Sequence, residues 1–136
     1  MATDVELIER SLEKIGEKGV DITSAVYARF FANHPDAVRL FHGKEQAVLG
    51  KMLNEVLMSS VDCAGHANFL HGLLTTQAND HMAWGVKAEM YGAFFDALVE
   101  EIRDVLGPDW DRDTQIAWQK QCTAMEEIMM AAYRDN

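Results

Sequence analysis

The sequence predicts an all-α fold of about six to eight helices, and three observations lead there. Only two prolines and nine glycines interrupt 136 residues, so few positions break a helix. Ala, Leu, Met and Glu recur throughout, residue types that lose little side-chain freedom in a helix. Apolar residues return every three or four positions along most of the chain, the period of one helix face. With 49% apolar residues the chain is long enough to bury a core, and residues 1–136 are expected to form one domain.

The first helix opens at Thr3, which forms a capping box with Glu6, hydroxyl and carboxylate each suiting an orphan backbone N–H. Val5, Ile8, Leu12 and Ile15 then mark its inner face, while Glu6, Arg10, Glu13 and Lys14 face water. It ends near residues 16–19. A second helix over residues 21–33 places Ile22, Val26 and Phe30 four apart with Tyr27 and Phe31 beside them, an aromatic stripe that calls for deep packing. Pro35 cannot continue that helix but can open another, so His34-Pro35-Asp36 marks a corner into a short turn over 37–41. Over 45–61 the apolar set Leu49, Met52, Leu53, Val56, Leu57 and Ser60 shares one side, with Lys51 and Glu55 as an outward pair. Residues 62–68 connect to a helix carrying Phe69, Leu70, Leu73, Leu74 and His81. Tyr91, Phe94, Phe95, Leu98, Ile102 and Val105 define a long helix over 87–106, stopped by Gly107-Pro108. The last helix, 111–133, aligns Trp118, Cys122, Met125, Met129 and Tyr133.

A formal net charge of −10 repels phosphate backbones and anionic lipid, so neither nucleic acid nor a membrane surface is an expected partner. Cys63 and Cys122 lack the spacing of a zinc site and are expected as reduced thiols in a cytoplasmic protein. The chain start has no basic segment followed by an apolar run, and nowhere do ~18 apolar residues run together. Phosphate-binding glycine loops, nucleophile elbows, paired-carboxylate motifs and HExxH motifs are missing as well.

His81 is the residue with most chemical content. Leu70, Leu74 and Ala78 stand eleven, seven and three positions before it, so its ring continues an apolar helix face and points inward. The break at Gly85-Val86 follows, and the imidazole therefore sits at a helix end that abuts another helix. Such a corner suits a ligand to iron or zinc; a hydrogen-bonded core histidine is the alternative reading.

Two blocks resemble the globin family, in particular bacterial single-domain haemoglobins and the haem domain of flavohaemoglobins. One is Val26-Tyr27-Ala28-Arg29-Phe30-Phe31-Ala32-Asn33-His34-Pro35, ending at Leu40-Phe41. The other runs from His81 through Gly85-Val86 and Tyr91 to Val105-Leu106-Gly107. With Ala117-Trp118 the likeness covers residues 16–133. The resemblance implies a globin fold enclosing a haem of the b type, with His81 as the proximal iron ligand through a neutral imidazole nitrogen. The second ring nitrogen is expected to donate to a backbone carbonyl near Gln77. Phe41 matches a phenylalanine stacked on the porphyrin, or else is core filler. Tyr27 matches a distal tyrosine whose hydroxyl reaches the gas ligand; the alternative is a phenol bonded to a backbone carbonyl.

The distal helix departs from the family pattern. Where relatives carry glutamine, the counterparts here are Val48 or Leu49, with Met52 or Leu53 one turn on, and Gln46 faces inward only if the register slips. Tyr91 matches the proximal tyrosine of flavohaemoglobins, but Tyr133 takes the place of their glutamate, and Glu126 and Glu127 lie too far back to substitute. Lys51 either meets a haem propionate or is solvated; Trp84, before Val86, either covers the haem edge or closes the corner. His34, His66 and His71 read as surface or capping residues, and His42 reaches iron only if the loop after Phe41 permits.

The function so implied is reversible binding of a diatomic gas, oxygen first and NO or CO next, by a monomer or homodimer. The alternatives are a nitric oxide dioxygenase served by a separate reductase, and a gas-sensing globin.

Overall fold

The computed structural model describes residues 2–65 and 70–134; the expectations for His66, for Phe69 and for the connection through Asn68 fall outside them. Among the described residues there are six α-helices and no strand: α1 (Asp4–Glu17), α2 (Thr23–Asn33), α3 (Gln46–Ala64), α4 (His71–Ala83), α5 (Glu89–Leu106) and α6 (Arg112–Arg134). Short 3-10 helices occupy Pro35–Phe41 and Gly107–Asp109. None of these helices is long and apolar enough to cross a membrane.

Local chemistry sets the boundaries. The Glu6 N–H donates to Thr3 Oγ1 at 3.3 Å, while the Thr3 hydroxyl donates to Glu6 Oε1 at 3.2 Å. Half of the expected capping box thus forms, with the carboxylate turned to the hydroxyl instead of the backbone. Asp21 accepts from the Thr23 N–H at 3.0 Å and Asp111 from the Thr114 N–H at 2.8 Å. The Thr23 and Thr114 side chains, and then these N–H bonds, hold the two carboxyls below their ordinary range, and the N–H bonds anchor the starts of α2 and α6. Gly85 has φ +92° and Gly107 φ +53°, so glycine is needed where α4 and α5 end.

The inner face of α1 differs from the periodic reading. Leu7, Ile8, Ser11 and Ile15 are buried there, and Val5 and Leu12 only half so. Trp118 is the reason: its fully buried indole N–H donates to Ser11 Oγ at 3.0 Å, and the Ser11 hydroxyl donates to Leu7 O at 2.9 Å. A buried tryptophan needs an acceptor, and the serine supplies it. On the other side, α2 packs on α5, and Arg29 bridges them through Glu100, Glu101 and Asp104.

α4 packs on α6, and α3 on α6 and α1, but α3 and α4 are not packed together along their length. The space between them is the cavity. Cys122 and Met125 belong to the cluster behind it, and burial pushes the Cys122 thiol up to about 12.

Candidate functional site

A cavity of about 340 Å³ opens between α3 on one side and α4 and α5 on the other. Its walls are apolar. Tyr27, Phe30 and Phe41 close one end, where the proline corner brings the 3-10 turn against α2; Tyr27 and Phe41 have ring centroids 5.5 Å apart. Phe94 and Phe95 of α5 and Met125 and Met129 of α6 form the floor.

From α3, the lining residues are Val48, Lys51, Met52, Glu55 and Val56, one helix face at spacings of three and four. Of the α3 residues considered from the sequence, Val48 and Met52 thus line the cavity. Leu49 and Leu53 lie outside the wall: Leu53 is in the core, and Leu49 contributes only its carbonyl, 3.4 Å from the Tyr27 hydroxyl that donates to it. That bond is long for an O–H donor. Burial pushes the Tyr27 phenol well above its ordinary pKa, so the hydroxyl keeps its proton. Gln46 donates to Ser24 Oγ at 3.0 Å on the surface.

Glu55 corrects the outward pair expected with Lys51. Its carboxylate accepts from the Gln77 amide of α4, so two polar side chains join the walls across the cavity. The signal was present in the sequence: position 55 is seven residues from Val48 and therefore on the same face. Lys51 is exposed at the rim, as is Lys44, whose ammonium sits 5.7 Å from the Trp84 ring. Trp84 is 65% exposed and flanks the His81 ring at 5.8 Å.

His81 stands in the α4 wall, and the corner behind it is fixed by the Val86 N–H donating to His81 O at 2.9 Å. Its Nδ1 lies 3.2 Å from the Tyr91 hydroxyl, and the two rings stack at 27°. The expected partner, a carbonyl near Gln77, is displaced because α5 returns directly over the ring, while the carbonyls of that turn serve the helix itself. Tyr91 Oη is in turn 3.4 Å from Tyr133 Oη, and the Tyr133 hydroxyl donates to Val86 O at 2.6 Å. Tyr133 therefore does reach the proximal side, while Glu126 lies beside Gly92 instead. Burial lowers the His81 pKa, opposed by the nearby Asp80 and Glu55 carboxylates, and so favours the neutral imidazole. Its Nε2 has no partner among the described residues.

The other described histidines stand apart: His34 Nε2 is 3.3 Å from Glu89 Oε1, and His42 and His71 are exposed and outside the cavity wall.

The residues present fit a haem. A mainly apolar cavity, an imidazole with one nitrogen unclaimed, and two rim lysines match a macrocycle, its metal and its carboxylates respectively. Comparison with known proteins agrees. Residues 24–129 match the family model described as Globin. The chain is 23% identical over 128 residues to a flavohemoprotein of Halalkalibacterium halodurans (92% of this chain, 31% of that one). It is 23% identical over 134 residues to a flavohemoprotein of Bacillus subtilis (96% and 33%), and thus spans about a third of the length of these relatives. A globin of Nerita albicilla is 29% identical over 126 residues, with 82% of this chain and 80% of that one covered.

Proposed function

The chain belongs to the globin family, and from that premise we propose that it is a haem protein that reversibly takes up a diatomic gas, oxygen foremost, with His81 as the iron ligand. The observation that carries this reading is the unclaimed Nε2 of a neutral His81 in an apolar wall. Bound haem, of the b type, supplies the iron to which the gas adds. Around it, His81 binds and Tyr91 orients the imidazole. Phe41, Val48, Met52 and Val86 would exclude water, and Lys51 and Trp84 at the rim would meet the carboxylates and the apolar body of the group. Tyr27 would offer the hydroxyl donor to the gas, because its long bond to Leu49 O is readily exchanged for a polar ligand.

Tyr27→Phe tests this assignment. The ring and its packing stay; one donor is lost. Oxygen in its complex with ferrous haem carries partial negative charge and carbon monoxide much less, so only oxygen should feel the change. A hydrogen bond to a charged acceptor contributes roughly 1.5–3 kcal/mol, so oxygen should dissociate about ten- to a hundredfold faster, with carbon monoxide nearly unaffected. Equal small effects on both gases by stopped flow would mean that Tyr27 serves only the protein.

A nitric oxide dioxygenase using a separate reductase is the second reading, favoured by the flavohemoprotein relatives. The proximal tyrosine in place of a carboxylate weighs against it. Mixing the oxygenated protein with NO, with and without a reductase, separates the two.

A further inference from the structure

The charged side chains of the cavity wall are not spread evenly around its mouth. Among the described residues the wall holds two ammonium groups, Lys44 and Lys51, and two carboxylates, Glu55 and Asp80. Lys44, in the turn before α3, sits over the Trp84 ring and so marks the end of the mouth where α4 stops. Glu55 lies one helical turn beyond Lys51 on the same face of α3, and its carboxylate accepts from the Gln77 amide of α4. Gln77 stands two turns of α4 before Trp84, a rise of roughly 10 Å. Two contacts therefore span the mouth, a cationic one at one end and an anionic one at the other. The exposed Asp80, between Gln77 and Trp84, adds to the negative charge.

We infer that Glu55 is a specificity-determining residue: held by Gln77 at the anionic end of the mouth, it admits macrocycles whose carboxylates are confined to one edge and rejects those that carry carboxylates all round. A macrocycle with two neighbouring carboxylates can turn both toward Lys44 and Lys51 and leave only its apolar part near Glu55. With four carboxylates around the ring, at least one is brought toward the Glu55 end. Like charges at the border of an apolar cavity repel more strongly than in open water. The Gln77 amide, a donor that could have met such a carboxylate, is engaged by Glu55. The fields of Glu55 and Asp80 do reach across the cavity, since both act on the His81 ring against the effect of burial.

The inference rests on the cavity taking up a macrocycle, as the proposed function requires, but not on iron ligation, and metal-free probes separate the two. Protoporphyrin IX, with two carboxylates, and coproporphyrin III, with four, are titrated into the full chain at low ionic strength, with binding read from porphyrin fluorescence. The wild-type chain should bind protoporphyrin IX the more tightly. In Glu55→Gln the ratio of the two dissociation constants should shift about fivefold toward coproporphyrin, the effect of one unit charge a few ångströms away. That shift should fade at about 1 M salt, where charges are screened beyond about 3 Å. Glu55→Asp, which keeps the charge, should retain the wild-type ratio. So should Glu127→Gln, which removes a charge from an exposed position of α6 outside the cavity wall. Circular dichroism checks that each variant keeps its helices, and the wild-type preference stands as a test even if a variant does not fold. A wild-type chain that binds both porphyrins equally or neither, or a folded Glu55→Gln with an unchanged ratio, overturns the assignment. Selective binding of the metal-free probes, together with a haem complex that lacks a histidine-ligated spectrum, would remove the proposed function and leave the selectivity intact.

Discussion

Ser11 and Trp118 show how a single polar atom decides an apolar face. The indole N–H is fully buried and has the Ser11 hydroxyl as its acceptor. Ser11→Ala keeps the volume nearly unchanged but leaves that donor without a partner, at a cost of about 1–3 kcal/mol. The urea midpoint should fall accordingly, and an unchanged midpoint would mean that the indole finds another acceptor. The role of Ser11 was not legible from hydropathy, nor was that of Glu55 although its spacing from Val48 puts it on the cavity face, for one physical reason. Hydropathy treats a polar side chain as outward, whereas Ser11 satisfies a buried donor and Glu55 meets Gln77 across a cavity. His81, Tyr27, Phe41 and Tyr91 were legible because an aromatic or imidazole on an apolar stripe is read as inward, and the structure brings all four to one cavity.

At the scale of elements, the corner between α4 and α5 controls where the His81 ring lies. Gly85 has φ +92°, and a Cβ added there would meet nothing closer than Leu40 Cδ2 at 3.8 Å. Space is available, so the cost of Gly85→Ala is backbone strain, about 1–2 kcal/mol. We expect the urea midpoint to drop by that amount and the His81–Tyr91 contact to loosen; full stability in the variant would show that the corner adopts another turn without difficulty. The helices themselves were readable, since proline and glycine mark most of their ends and the apolar period fills the rest. Less readable was the pocket-facing side of α3. Leu49 and Leu53 are as apolar as Val48 and Met52, and only the packing of α3 against α6, α1 and α2 decides which pair meets the cavity. The termination of α3 at Ala64, three residues beyond the expected end, reflects Val61 and Ala64 packing into one apolar cluster and Cys63 into the other.

For the molecule as a whole, the cavity means that part of the core is left for a ligand to fill. Glu55 and Gln77 join the walls from α3 and α4 across the cavity, whereas α6 binds both from behind. A haem seated there would stabilise the fold by its mass-action contribution, which grows with the logarithm of haem concentration over Kd. That contribution depends on His81, because no other histidine of the described residues lines the cavity. The decisive measurement is a titration of haem into the full chain and its His81→Ala variant, followed by absorption spectra of the ferric, ferrous and carbon monoxide forms. The wild-type chain should bind one equivalent with a histidine-ligated ferrous spectrum, and the variant should lose that spectrum and the associated affinity. A variant that retains both would contradict the assignment of His81 as the residue that holds the iron.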